Sequence, residues 1–334
     1  MRRPIVCITP VKNESWVLDL FLRSASGWAD HIIIADQQSA DNTRDIATSF
    51  ANVDVFDNPD REYNESNYRS ILYERLRSTT REAIIVSIDA DELLTPAAAH
   101  FVRQLAEADS PPGKAYKLPW INIHESMDRY WTTLKFPVIY VDDGASLEGK
   151  LIHSDRIPKA EQALEVEDPN AGLIHLQYLN LHRFNSKQRW YQAFEKLRHP
   201  HRRPVWIYRS YHHYDQLKKD DFSQLPLHWI PLRQEGMEAL NKLKEVRDNP
   251  LWWDRGVLNW MIEHGPDYFR KIDLWDVDWN QLMHKIMPET KSADLTDPRT
   301  AFDKRIFHYL KTTQPYHNKK KIKWQDKALK WAGW

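Results

Sequence analysis

Between residues 4 and 96 short apolar runs alternate with segments whose apolar residues recur every three or four positions. This pattern predicts strands and helices in alternation, the signature of βαβ units on a mostly parallel sheet. The runs are PIVCIT from Pro4, HIIIAD from His31, the weaker VDVF from Val53 and AIIVSI from Ala83. Trp16, Val17, Leu20 and Phe21 define the first helical face, with Asn13 or Ser15 as its cap; Ile46, Ala47 and Phe50 define the second. A third helix is expected around Glu65–Arg77. Thr95-Pro96 reads as a helix start, a hydroxyl cap followed by proline at the first helical position, where its missing N–H costs nothing.

From Ala115 the texture changes. AYKLPWINI and FPVIYV read as strands of a more antiparallel, loop-rich half, and after about Ser186 the spacing turns helical, as in Trp190/Phe194 and Met237/Leu240/Leu243. The expectation is an α/β catalytic domain over residues 1–185, a Rossmann-like sheet flanked by helices, followed by a helical, Trp-rich region over 186–334.

Composition narrows the class. Lys plus Arg and Asp plus Glu both number 47 in 334 residues, so the chain has no global field that would draw it onto nucleic acid. The single cysteine, Cys7, sits in an apolar run and reads as a buried small hydrophobe in a reducing compartment. No run approaches the ~18 apolar residues of a membrane span, and the first apolar run is too short for a signal peptide. A cytoplasmic protein is expected, and the sequons at Asn13 and Asn64 are read as chance. There is no Gly-x-Gly-x-x-Gly among nine glycines, no phosphate-binding lysine loop and no Gly-x-Ser-x-Gly elbow; HESMD at 124–128 lacks the second histidine of a zinc-protease helix.

The chemistry gathers at predicted strand ends, where open parallel sheets bind ligands. TPVKNE follows the first strand, Asp36 ends the second, and Asp89, Asp91 and Glu92 follow the fourth. Three acids at the mouth of a core strand need compensation, because an unpaired buried carboxylate costs several kcal/mol or shifts its pKa upward. In extended chain Asp89 and Asp91 would face the same way with Cα atoms roughly 6.6 Å apart. Two such hard oxygen ligands suit Mg²⁺ or Mn²⁺ carrying a diphosphate, so a divalent ion is the expected missing positive charge.

These segments resemble the family-2-type glycosyltransferases of the GT-A fold. TPVKNE is similar to their first-strand Pro-x-x-Asn-Glu segment, HIIIADQQSADNT to their strand ending in Asp before a Ser-x-Asp-x-Thr turn, NYRSIL to their Arg-bearing helix, and SIDADE to their Asp-x-Asp metal motif. The resemblance implies a nucleotide-sugar donor bound by Pro10, Val11, Lys12, Glu14, Asp36, Arg69 and Asp89. It implies a metal held by Asp89 and Asp91, with His175 completing the shell and His182 as the competing choice. Asp36 is followed by Gln37 where many members have a second acid. HSD at 153–155 falls where related enzymes carry a His followed by an acid, which implies Asp155 as the acceptor's base, although Ser154 displaces it; Glu148 is the second choice. The function implied is hexosyl-like transfer, inverting, to a glycan or lipid-linked acceptor.

Two other readings stay open. One is an inactive carbohydrate-binding or scaffold protein on the same fold. The other is a haloacid-dehalogenase-type phosphatase with Asp89 as nucleophile, against which Leu93 stands where that family expects Thr or Val. Eleven of fifteen tryptophans follow residue 150, and at helical spacing such residues are more often core than sugar platforms. KLRHPHRRP at 196–204 reads as a solvated loop or an anion site. Residues 319–334 carry six lysines, three tryptophans and one acid, Asp326. That segment is either a peripheral contact with anionic lipid or a packed terminal helix with Trp324 and Trp331 buried.

Overall fold

The computed structural model describes residues 2–59, 63–152, 154–160, 162–247, 251–289 and 293–334. Contacts divide the chain into two units, Met1–Asn180 with Ser223–Val246, and Leu181–Phe222 with Arg247–Trp334.

The first unit opens with β1 (Ile5–Val11), α1 (Leu18–Ser26), β2 (His31–Asp36), α2 (Thr43–Thr48), β3 (Val53–Asp57), α3 (Glu65–Thr79), β4 (Ile84–Ser87), β5 (Glu92–Leu94) and α4 (Pro96–Glu107). It continues with β6 (Ala115–Ile123), β7 (Arg129–Val141), β8 (Ala163–Glu165) and β9 (Leu173–His175). The sheet runs β3-β2-β1-β4-β7-β6-β9-β5. Its first four strands are parallel, whereas β7 is antiparallel to both β4 and β6. This is the α/β arrangement expected from the alternating pattern, with the antiparallel half where the texture changes.

Near-continuous apolar runs form the parallel strands because both faces are covered. Alternate residues separate into two layers: Ile5, Cys7, Ile32, Ile34, Ile84 and Val86 pack with residues of α1 and α4, and Val6, Ile8, Ile33, Ala35 and Ile85 with Leu72, Tyr73 and Leu76 of α3. Cys7 is fully buried and burial pushes its thiol far up, so it is inert, as its surroundings predict. Asn64, one of the two sequon residues, caps α3 by accepting from the Asn67 backbone N–H.

Two local expectations are corrected. Helix α1 begins at Leu18 with Val17 at the cap position and no side-chain cap, and Asn13 Oδ1 accepts instead from the Ala40 N–H of the loop after β2. Strand β4 ends at Ser87, and Asp89 to Glu92 form a tight turn closed by the Glu92 N–H donating to the Asp89 carbonyl at 3.0 Å. Asp89 and Asp91 therefore do not lie in extended chain.

The first unit is completed by β10 (Ser223–Gln224) and α7 (Arg233–Glu245), which lie after a stretch of the second unit in sequence. β10 pairs with β7, Leu225, Ile230, Leu240 and Leu243 join the main core, and Asn180 Nδ2 donates to the Leu243 and Val246 carbonyls. The second unit is helical: α5 (Leu181–Arg198), α6 (Pro204–Tyr211), α8 (Trp252–His264), α9 (Trp279–Ile286), α10 (Ala301–Thr313) and α11 (Lys320–Trp331). Arg209 of α6 binds both Asp326 oxygens, the Leu310 carbonyl, Gln314 Oε1 and Thr313 Oγ1 at 2.8–3.0 Å, joining α6, α10 and α11. Among the described residues no helix is long and apolar enough to cross a membrane.

Thr95 joins three elements of the first unit. Its hydroxyl caps α4 at the Ala98 N–H, donates to the Asn170 carbonyl at 2.7 Å and accepts from the Gly172 N–H at the entry to β9. Thr95→Ala, which strips a fully buried site of these partners, is expected to lower stability by about 2 kcal/mol. Thr95→Ser should restore most of it. Denaturant unfolding of the three proteins, followed by a probe of the sheet-bearing unit, checks this; equal stability of the Ala variant contradicts it.

Candidate active site

β1 lies between β2 and β4, so the chain leaves its carboxyl end toward neighbours reached by connections on opposite sides. That is the topological switch point at which open α/β sheets form a crevice. Two loops meet there. The Asn13 N–H donates to Ser39 Oγ at 2.8 Å, Asn13 Oδ1 accepts from the Ala40 N–H at 2.7 Å, and the Glu14 N–H donates to Thr43 Oγ1 at 2.8 Å. Asn13 and Gln38 take the left-handed conformation, φ 54° and 57°, which Asn tolerates better than most residues. The second sequon asparagine is thus also structural. Asp41 is the hub of the Ser-x-Asp-x-Thr turn, accepting from the Thr43 hydroxyl and N–H and from the Ser15 N–H. Burial would raise its pKa, but those hydrogen bonds outweigh burial and hold the carboxyl below its ordinary value.

Asp36, buried at the end of β2, accepts from the Ser39 N–H at 3.0 Å and has the Arg44 guanidinium 3.8 Å away. Pro10, Val11 and Lys12 form the adjacent edge. Burial lowers the Lys12 pKa, and the nearby Asp36 charge offsets part of the effect. Glu14 is turned inward, its carboxylate accepting from Trp16 Nε1 at 2.6 Å.

The turn after β4 answers the charge problem with arginines. Arg69 of α3, buried, donates to Ser87 Oγ at 3.1 Å and to Asp89 Oδ1 at 2.6 Å. Arg156 donates to Asp89 Oδ2 at 3.0 Å and to both oxygens of Glu92. Glu92 is fully buried and also accepts from the Asp89 N–H and from Trp120 Nε1, 2.9 and 2.8 Å. Burial would lower the Arg156 pKa, but the charges of Glu92 and Asp89 overcome it and raise the value. The guanidinium also lies against the Trp120 and Phe136 rings. Asp89 keeps 37% of its side chain exposed.

Arg156 comes from the irregular segment after β7, which docks on α3. The Glu65 and Ser66 N–H groups donate to the Leu151 and Lys150 carbonyls, Glu65 accepts from the Ser154 N–H, and Tyr73 donates to the Arg156 carbonyl. At Gly149 the approach is so close that a Cβ would lie 2.5 Å from Ser66 Oγ. Sequence reasoning passed over Arg156 and Trp120; the signal available was the unbalanced acid at Glu92, with the arginine one residue beyond the Asp155 already singled out.

Across the strand pair β5–β9, His175 stands opposite Glu92, with Nε2 3.6 Å from Asp91 Oδ2. Its other ring nitrogen, Nδ1, is 2.9 Å from Asn122 Oδ1, and the ring stacks on Trp120 with centroids 4.2 Å apart. Hydrogen bonding at Nδ1 and stacking on Trp120 orient the ring so that Nε2 faces the carboxylate. Asp91 and His175 are thus brought together, whereas both Asp89 oxygens are on Arg69 and Arg156. Among the described residues, no group of three or more His, Cys, Asp or Glu side chains is already arranged to hold a metal.

Asp155 and Glu148 are exposed on the segment carrying Arg156. His153 is outside the described residues. His182 belongs to the second unit, where it lines a cavity of about 350 Å³ with Arg189, Asp254 and Lys285. In the basic stretch, Arg202 is held by Glu195 and lies over Trp206.

Residues 6–150 match the family model described as Glycosyl transferase family 2. No curated protein matches the chain. Among solved structures, glucosyl-3-phosphoglycerate synthase from Mycobacterium tuberculosis, in complex with Mn²⁺, UDP and glucosyl-3-phosphoglycerate, is 22% identical over 36% of this chain and 44% of that one, with a TM-score of 0.25. Mannosyl-3-phosphoglycerate synthase from Rubrobacter xylanophilus is 18% identical over 37% and 40%, with a TM-score of 0.26. The chain therefore spans less than half the length of these structures. The matched segment, with its strand order and its loops at the switch point, is a family-2-type glycosyltransferase module of the GT-A fold.

Proposed function

We propose that the chain transfers a sugar from a nucleotide-sugar donor to an acceptor hydroxyl. The observation that carries this reading is the convergence of three strand ends, at β1, β2 and β4, on one polar edge where Arg69 and Arg156 hold the acids that follow β4. Such an edge suits a nucleoside diphosphate: Pro10, Val11 and Lys12 line it, Asp36 faces the nucleoside side, and Arg69 and Asp89 stand at the diphosphate side. Glu14 supports the loop through Trp16.

Asp91 and His175 are 3.6 Å apart, a spacing that suits two donors on one ion. One carboxylate oxygen with one oriented imidazole fits Mn²⁺, or Mg²⁺ with more water, and Asp89, whose oxygens also meet Arg69 and Arg156, would be the third donor. Bound there, a divalent ion would supply Lewis-acid stabilisation of the diphosphate leaving group. The protein's own contribution is positional. Arg69 and Arg156 fix Asp89, Asn122 and Trp120 fix His175, and the buried network keeps this edge from rearranging as charge develops. Asp155, one residue from Arg156, is the first choice to take the acceptor proton in an inverting transfer, with Glu148 second. A glycan or a lipid-linked glycan is the acceptor class proposed.

Asp91→Asn removes one negative donor while keeping shape. It is expected to weaken Mn²⁺-dependent binding of a nucleoside diphosphate by about tenfold or more, with thermal unfolding unchanged; His175→Gln should do the same. Titration calorimetry with and without Mn²⁺, across a panel of nucleotides, checks both, and undiminished binding in both variants removes the assignment.

Asp155→Asn is expected to lower turnover by about a hundredfold or more while donor binding stays at the wild-type level. Glu148→Gln should be nearly neutral. The reverse ranking would move the base to Glu148.

Arg156→Gln leaves Glu92 charged in a fully buried position and is expected to cost about 3–5 kcal/mol. Adding Glu92→Gln should return part of that loss. A double-mutant cycle by denaturant unfolding measures the coupling, and additive single losses would show that the pair is not coupled.

A further inference from the structure

We propose that helix α11 is a preformed docking face for an anionic lipid bilayer, an inference independent of the donor chemistry. The helix has two opposed sides. Asp326 is buried in its ion pair with Arg209, Leu329 packs on the cluster of Val205, Tyr208, Ile306, Phe307, Leu310 and Trp334, and the Tyr309 hydroxyl reaches Gln325 and Asp326. On the other side Trp324 and Trp331 are 72% and 84% exposed. They are seven residues apart, two helical turns, and so project from the same face. Lys320, Lys327 and Ala328 share that face, and Lys319, Lys321 and Lys323 are exposed beside it. Its one acid is on the anchored side and is neutralised by Arg209.

Two features distinguish this surface from an ordinary solvated helix. Large indoles at the centre of an exposed face are uncommon on soluble surfaces and are favoured at the bilayer headgroup level. The lysines also crowd the amino end of the helix, whose first turn holds no acid and whose cap residue, Lys319, makes no side-chain capping bond. Positive charge there opposes the helix dipole, so the arrangement weakens the isolated helix and is relieved by an anionic surface. The amphipathic face with lysines flanking aromatics matches a helix lying in the membrane interface. Because the opposite side is fixed to α6 and α10, the face is presented without refolding.

The test uses the full chain with vesicles of phosphatidylcholine alone and vesicles containing about a third phosphatidylglycerol, at roughly 0.05 and 0.5 M salt. Co-sedimentation is expected with the anionic vesicles at low salt and is expected to fall steeply at high salt. Trp324→Ser with Trp331→Ser, and separately Lys320→Glu with Lys327→Glu, should each lower the partition coefficient by about tenfold or more, while thermal unfolding is unchanged because these side chains touch little of the fold. Failure of the full chain to bind anionic vesicles at low salt overturns the proposal. So does equal binding by both variants, or concentration-dependent self-association that the tryptophan variant abolishes without vesicle binding.

Discussion

The site depends on the neutralisation of Glu92. This carboxylate is fully buried at the exit of the fourth strand, where an unpaired charge would cost several kcal/mol. Four donors meet it: two from Arg156, the Trp120 indole and the Asp89 backbone N–H. Glu92 in turn offsets the charge of the mostly covered Arg156, which takes one oxygen of Asp89 while Arg69 takes the other. Removal of any member leaves its partners charged in a poorly solvated place, so the turn, the arginine and the aromatic wall are one cooperative feature.

That network ties an irregular segment to the sheet. Residues 144–152 and 154–158 have no strand or helix, yet the Lys150 and Leu151 carbonyls accept from the start of α3 and Arg156 crosses to the acid turn. Helix α3 also supplies Arg69 and, through Arg77 and Asp142, holds the end of β7. The same helix therefore fixes both ends of the loop and one arm of the arginine pair. This rigidity matters for the proposed chemistry, since preorganised charge requires no rearrangement at the moment of reaction.

The parallel strands, the helix at Thr95-Pro96 and the loops at the strand ends were legible because their signals are local: apolar runs, turn residues and a cap lie within a few positions of one another. The Ser-x-Asp-x-Thr turn shows why. Asp41 bonds Thr43 two residues on, so its chemistry is written in the immediate sequence, even though it also holds the Ser15 N–H from the loop after β1. Arg156 was not legible in this way, being 64 positions from the acid it neutralises. The expected extended geometry of Asp89 and Asp91 failed for a related reason. Placing the Asp89 N–H on Glu92 and closing the turn requires the buried charge network, which no local pattern announces. Asn13 and Ser15 were misread as caps because the helix starts later, behind Val17, and the Asn13 side-chain oxygen is claimed by a loop distant in sequence.

The tryptophans of the second unit show how the same residue type separates by context. Trp253, Trp275, Trp279 and Trp334 are buried, and the Trp275 and Trp279 indoles donate to backbone carbonyls. Helical spacing alone would have assigned Trp324 and Trp331 to the same fate. What decides otherwise is Asp326, two residues from Trp324 and five from Trp331, which at roughly 100° per residue puts it on the far side of the helix from both. Once Arg209 fixes that acid with two hydrogen bonds, the helix rotation is set and the indoles must face away. A single ion pair thus determines which aromatic surface the unit hides and which it presents.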